Sequence, residues 1–135
     1  DLGSLYWDKR GLESVHLRIL SCAQVTSPRA LGSWLSYDDL IQLVTRAIDT
    51  PTTGFSVVYG VSANDRAPVD NSQARYLGYR PTDNAEVFAE RVLAEADPAD
   101  PTDPAQMYHG GPFAAIELGT SGVATMNIVD DRKKT

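Results

Sequence analysis

Apolar and polar positions alternate over residues 14–21 (SVHLRILS). Val15, Leu17 and Ile19 fall on one side, His16 and Arg18 on the other, and a period of two predicts a strand. The preceding residues 2–10 (LGSLYWDKR) predict the end of a helix, with Gly11 at the left-handed position that stops it. Residues 22–33 (CAQVTSPRALGS) are expected to be a loop. The period then changes. Leu40, Leu43, Val44, Ala47 and Ile48 fall on one helical stripe. Ser36 is expected to cap that helix, with Asp39 as a capping-box partner, and Pro51 lies just past its end. Residues 54–59 (GFSVVY) form a near-continuous apolar run, as in a strand buried on both faces of a parallel sheet. Asp70 is expected to cap a short helix ending at Leu77–Gly78, and Asn84 another over AEVFAERVLAEA, with Glu86 and Glu90 near its positive end.

The order helix, strand, loop, helix, strand, helices predicts an α/β arrangement with right-handed crossovers. Only two strands are predicted, whereas parallel sheets usually have more. The piece therefore reads as part of a larger sheet, with further strands expected upstream. Residues 1–96 form the expected α/β part. Residues 97–104 (DPADPTDP) hold three Asp-Pro pairs and are expected to be an extended acidic linker. Residues 105–135 are expected to be a C-terminal extension with a Gly110–Gly111 turn, the apolar run PFAAIEL and a frayed charged end (DDRKKT). No internal repeat occurs.

Composition narrows the function classes. With 42% apolar and 22% charged residues, the chain is expected to be mostly globular. A net charge of −6 argues against nucleic acid or anionic membrane as a main partner. No apolar run is long enough for a transmembrane helix. The chain opens on Asp1 without a basic stretch and apolar core, so no signal peptide is expected. Cys22 is the single cysteine, which fits a reducing, cytoplasmic setting. His16 and His109 have no partner at metal-ligand spacing, and no metal site is expected. Asp38 and Asp39 are neighbours on a helix and do not face each other, so they are a cap and dipole partners rather than an acid–base pair.

Several segments resemble a known family, in the same order. LYWDKRGLESVHLRILSC resembles the helix end and strand that follow the catalytic tyrosine–lysine helix of extended short-chain dehydrogenase/reductases, the NAD-dependent epimerase/dehydratase family. WLSYDDLIQLV, VVYGVSANDR, DNSQARYLGYRPTDNAE and DPTDPAQMYHGG resemble uronate dehydrogenases. The resemblance covers roughly residues 2–113. It implies the C-terminal part of a Rossmann-like doubly wound parallel sheet, incomplete on its own. It also implies NAD-dependent oxidation of a hexuronate, galacturonate or glucuronate, at C1 to an aldarolactone. In that family a tyrosine is the general base, a lysine lowers its pKa, and a glycine-rich turn holds the pyrophosphate. This sequence has no Gly-x-Gly-x-x-Gly turn and no Tyr-x-x-x-Lys pair; its lysines are Lys9, Lys133 and Lys134, and Tyr6 stands three residues from Lys9. No catalytic residue is therefore assigned, NAD is expected only in the complete protein, and the chain alone is expected to be inactive. Its expected partners are a small sugar acid and either the missing N-terminal Rossmann half or a second copy.

The resemblance places Arg29 at the arginine that holds the sugar carboxylate. A planar guanidinium suits that task, although a loop arginine is ordinarily just solvated. Ser21, at a strand end, matches a serine that hydrogen-bonds substrate; the competing reading is a serine satisfying loop backbone. Trp34, Ser62 and Asn64 are candidates for lining the pocket, with core packing the stronger alternative for Trp34. Cys22, Tyr76 and Tyr79 are expected to pack. The chain departs from the family at Leu20, at AQVTSP and at Pro68–Val69, all near the expected pocket, which leaves substrate preference open. Two other readings stand beside the enzyme half: a non-enzymatic remnant or interaction module, and a nucleotide-sugar epimerase or dehydratase relative.

Overall fold

The computed structural model describes residues 1–108 and 110–116. It divides into two units, Asp1–Ala96 and a second beginning at Asp97. The first unit is α/β. Helix α1 (Leu2–Arg10) ends at Gly11, whose φ of 65° lets its amide reach back to the Trp7 carbonyl. Strand β1 (Ser14–Ile19) pairs in parallel with β2 (Phe55–Gly60), in the register Ser14 with Phe55 through Ile19 with Gly60. Between them run the single turn α2 (Ala30–Ser33) and α3 (Tyr37–Asp49). A 3₁₀ turn follows at Ser72–Leu77, then another at Ala85–Phe88 that runs into α4 (Ala89–Ala94).

The α/β alternation matches expectation, and so do the positions of both strands and α3, but β2 is not buried on both faces, since Val57 is exposed. Several details differ. The strand stops at Ile19, and Ile19 is exposed, because its register partner is Gly60 rather than a side chain that would cover it. The loop expected over 22–33 ends in a helical turn, Ala30–Ser33. Of the α3 stripe only Leu43 is fully buried, while Val44 and Ile48 stay exposed. Asp70 does accept from the Ser72 amide and hydroxyl, but Asn71 holds the cap position of the 72–77 turn. Asn84 accepts from the Glu86 amide, as a capping residue should.

Two apolar clusters hold the unit together. One joins Leu43, Val58, Ala74, Leu77 and Tyr79 beneath the sheet, with Val15 and Leu17 packed on it. The other joins Val25 and Leu31, from the loop and turn after β1, to Ala85, Ala89 and Val92 of the 85–94 segment. Sequence periodicity gives no hint of this second cluster, because Val25 and Leu31 belong to no regular apolar pattern. Tyr79 is buried and donates its hydroxyl to the Val61 carbonyl, whereas Tyr76 is exposed and does not pack as expected. On the outer edge of β2 the Asn71 side-chain amide accepts from the Tyr59 N–H and donates to the Tyr59 carbonyl, as a neighbouring strand would.

The second unit contains α5 (Pro104–Met107) and a 3₁₀ turn at Gly111–Ala115. The third Asp-Pro pair is thus a helix start rather than linker: Asp103 accepts from the Ala105 amide, and Pro104 takes the first helical position, where its missing N–H costs nothing. His109 and residues 117–135, including the end of PFAAIEL and DDRKKT, lie outside the described residues. No helix among the described residues is long and apolar enough to cross a membrane.

Candidate functional site

The C-terminal end of β1 leads into a loop of ten residues, 20–29, that presents Arg29. Three of its anchors can be traced. The Leu35 amide donates to the Ser21 carbonyl at 2.7 Å, and Ser21 pairs with Trp34 in a short parallel bridge. Val25 is buried in the second cluster, and its carbonyl accepts from Arg91 Nη2 of α4 at 2.8 Å. At the far end the Arg29 carbonyl accepts from the Ser33 hydroxyl and from the Gly32 and Ser33 amides. The loop is therefore a fixed structure with Thr26, Ser27, Pro28 and Arg29 on its exposed side.

The C-terminal end of β2 meets the same place. The Ser62 amide donates to the Trp34 carbonyl, and the Ser62 hydroxyl accepts from the Ser36 amide at 3.0 Å. Asn64 Nδ2 donates to the Trp34 carbonyl at 2.7 Å and to the Gly32 carbonyl at 3.4 Å, while its Oδ1 accepts from the Ala85 amide at 2.9 Å. Ser21, Arg29, Trp34, Ser62 and Asn64 thus belong to one hydrogen-bonded network at the carboxyl ends of both parallel strands, where open α/β sheets bind ligands.

Their tasks differ. Ser62 and Asn64 are buried, and their side chains bond to backbone. They border a depression of about 380 Å³ that Ala67, Asp70, Arg75 and Arg80 also line, yet their polar groups are engaged in holding the Trp34–Ser36 segment. Trp34 packs edge-on against Phe88 at 5.5 Å and so joins the second cluster. Arg29 is exposed and Ser21 half-buried, which leaves these two as the candidates for touching a ligand.

Two supporting residues were not legible as such. Asp39 was expected to complete a capping box with Ser36, but the Ser36 amide is taken by Ser62. Ser36 caps α3 through Asp39 N, while the buried Asp39 carboxylate accepts from the Thr82 and Asp83 amides at 3.0 and 3.2 Å. It thereby fixes the entry to the 85–94 segment. Arg66 grips Glu86 bidentately, both bonds 2.8 Å, which holds the Glu86 carboxyl below its ordinary pKa. Burial, with the charges of Asp39 and Asp83 adding to it, pushes the Tyr79 phenol upward, so it stays neutral. Cys22 is a half-buried thiol, and no cluster of three or more potential metal ligands occurs among the described residues.

No protein-family model matches the chain. Individual proteins do. The chain is 46% identical over 116 residues to a uronate dehydrogenase of Pseudomonas syringae pv. tomato, a match covering 85% of this chain and 42% of that one. Its fold superposes with a TM-score of 0.82 on glucuronic acid dehydrogenase from Chromohalobacter salexigens, at 41% identity over 87% of this chain and 44% of that one. The chain is homologous to the uronate dehydrogenases. It matches uronate dehydrogenase from Agrobacterium tumefaciens equally well in fold, with a TM-score of 0.82 and 36% identity over 89% of this chain and 46% of that one. A mutant of that enzyme has been solved in complex with NAD. The chain spans less than half the length of these relatives, and its two-stranded sheet is part of their Rossmann-like fold.

Proposed function

We propose that this chain is the substrate-side portion of an NAD-dependent oxidoreductase that oxidises a hexuronate, galacturonate or glucuronate, at C1 to an aldarolactone. The carrying observation is the network at the strand ends, which anchors the loop bearing Ser21 and the exposed Arg29 at its two ends. In this reading the Arg29 guanidinium pairs with the sugar carboxylate through two parallel N–H···O bonds. Ser21 hydrogen-bonds the sugar, and Trp34 borders it.

The residues present do not suit the dinucleotide. A pyrophosphate is held where a strand turns into a helix over glycines. The two connections that leave strands here, residues 20–29 and 61–71, contain no glycine, and the glycines with positive φ, Gly11, Gly54, Gly78 and Gly111, lie elsewhere. Cofactor binding and proton removal are therefore assigned to polypeptide upstream of this segment in the complete protein. That polypeptide also completes the sheet. Asn71 occupies the outer edge of β2 at Tyr59, which favours growth on the β1 side. There Val15, Leu17, Val44, Ala47 and Ile48 line an open depression of about 380 Å³ that an adjoining strand would cover.

Calorimetric titration of the chain tests the ligand assignment. Galacturonate is expected to bind and neutral galactose not, with the difference lost in Arg29→Ala. Equal binding of both sugars, or a full response in Arg29→Ala, would remove Arg29 from the site.

A further inference from the structure

We propose that Asn64 is the positioning residue of the anion-binding loop, setting where Arg29 stands without touching the ligand. The inference rests on the reading of Arg29 given above. Its basis is the convergence of three segments on one buried amide. Asn64 Nδ2 donates to the Gly32 and Trp34 carbonyls, which fixes the far end of the α2 turn. The Arg29 carbonyl opens that same turn, four residues before Ser33. Asn64 Oδ1 accepts from the Ala85 amide, at the start of the segment whose Ala85, Ala89 and Val92 bury Val25 and Leu31. One side chain thus ties the turn that carries Arg29 to the platform on which the Arg29 loop rests. Only a carboxamide supplies both donors and an acceptor at this position.

Close packing at Gly32 adds a second, independent constraint. A Cβ there would stand 2.3 Å from the Arg66 carbonyl oxygen, a backbone atom that cannot swing aside. The α2 turn therefore lies flush against the 64–67 segment. Hydrogen bonds from Asn64 and close contact with Arg66 both come from this segment, and together they give the turn one seat. A bidentate guanidinium–carboxylate pair tolerates little displacement, and a fixed seat is what it requires.

The test uses the ¹⁵N–¹H signals of arginine Nε–H groups in the whole chain, with Arg29 assigned through Arg29→Lys. In the native sequence the Arg29 signal is expected to move on titration with galacturonate and to ignore galactose. Asn64→Asp keeps the acceptor for Ala85 but replaces the donor with a second oxygen facing two carbonyls. Gly32→Ala displaces the same turn by contact alone, and serves if the Asn64 variant does not fold. In either variant, half-saturation is expected to need about tenfold more galacturonate, the equivalent of one lost polar contact. Glu13→Ala removes the acceptor for the Thr53 amide and hydroxyl at the opposite, amino end of the strands and is expected to saturate like the native chain, which separates positioning from general stability. A folded Asn64→Asp protein, with Gly32→Ala agreeing, that saturates at the native concentration would overturn the role of Asn64 alone. A native chain whose Arg29 signal ignores galacturonate would overturn the assignment of Arg29, and this inference with it.

Discussion

Replacing Asp39 with alanine removes a carboxylate that is 1% exposed and accepts from two backbone amides. A buried donor left without an acceptor costs about 1–3 kcal/mol. Thr82 is exposed and Asp83 half-buried, so water can reach their amides in part, and the lower half of that range applies to each. The expected loss is about 2–4 kcal/mol, or roughly 10–20 °C in Tm for a unit of this size. Asp39→Asn keeps one acceptor and is expected to lose about half as much. Asp38, next to it, is exposed and serves only the start of α3, so Asp38→Ala should cost less than about 1 kcal/mol. Urea denaturation followed by circular dichroism gives all three values under one condition. The reasoning fails if Asp39→Ala comes within about 1 kcal/mol of the native chain, or if Asp38→Ala costs as much as Asp39→Ala.

Other outcomes follow from the same geometry. Leu43 has no exposed surface, and Leu43→Ala should destabilise by about 2–5 kcal/mol in the same urea assay. Tyr79→Phe removes the bond to the Val61 carbonyl and should cost about 1 kcal/mol, while in the native chain the Tyr79 phenol should titrate above the ordinary tyrosine value of 10.0 in an ultraviolet titration. Glu13, Asp70 and Glu86 all have pKa values lowered on folding: Thr53 donates to Glu13, Ser72 to Asp70, and Arg66 to Glu86. Each binds its proton less readily folded than unfolded, so its contribution is complete above the ordinary values of 4.5, 3.8 and 4.5 and is lost as pH falls below them. Melting curves should therefore shift downward through that acid range, and Glu86→Gln should flatten part of the shift.

The first strand and α3 could be read from the chain because each has a period, and the second strand because its apolar run is nearly continuous. Val15 and Leu17 alternate with His16 and Arg18, and Leu40, Leu43 and Ala47 recur at helical spacing. The capping role of Ser36 was equally plain from its place before an amphipathic run. The α2 turn was not, since four residues containing a glycine carry no periodic signal. The incompleteness of the sheet was visible in the strand count, whereas the pairing of Asn71 with Tyr59 of β2 was not: a side chain that imitates a strand edge looks like any turn asparagine. The same holds for the site. Arg29 and Ser21 were named through a resemblance, and no local pattern marks them. Ser62 and Asn64 were placed near the pocket by their position after a strand end. Their actual bonds, to residues up to 32 positions away, depend on tertiary contacts that a linear pattern does not encode.

In the proposed division of labour, substrate contacts fall to this chain and cofactor binding and proton transfer to other polypeptide. The most direct test is NAD⁺ reduction by this chain alone, at high concentration, with galacturonate and with glucuronate, followed by NADH absorbance. No protein-dependent reduction is the predicted result. Clear turnover that scales with the chain would contradict the division of labour and place the catalytic groups among the residues described above.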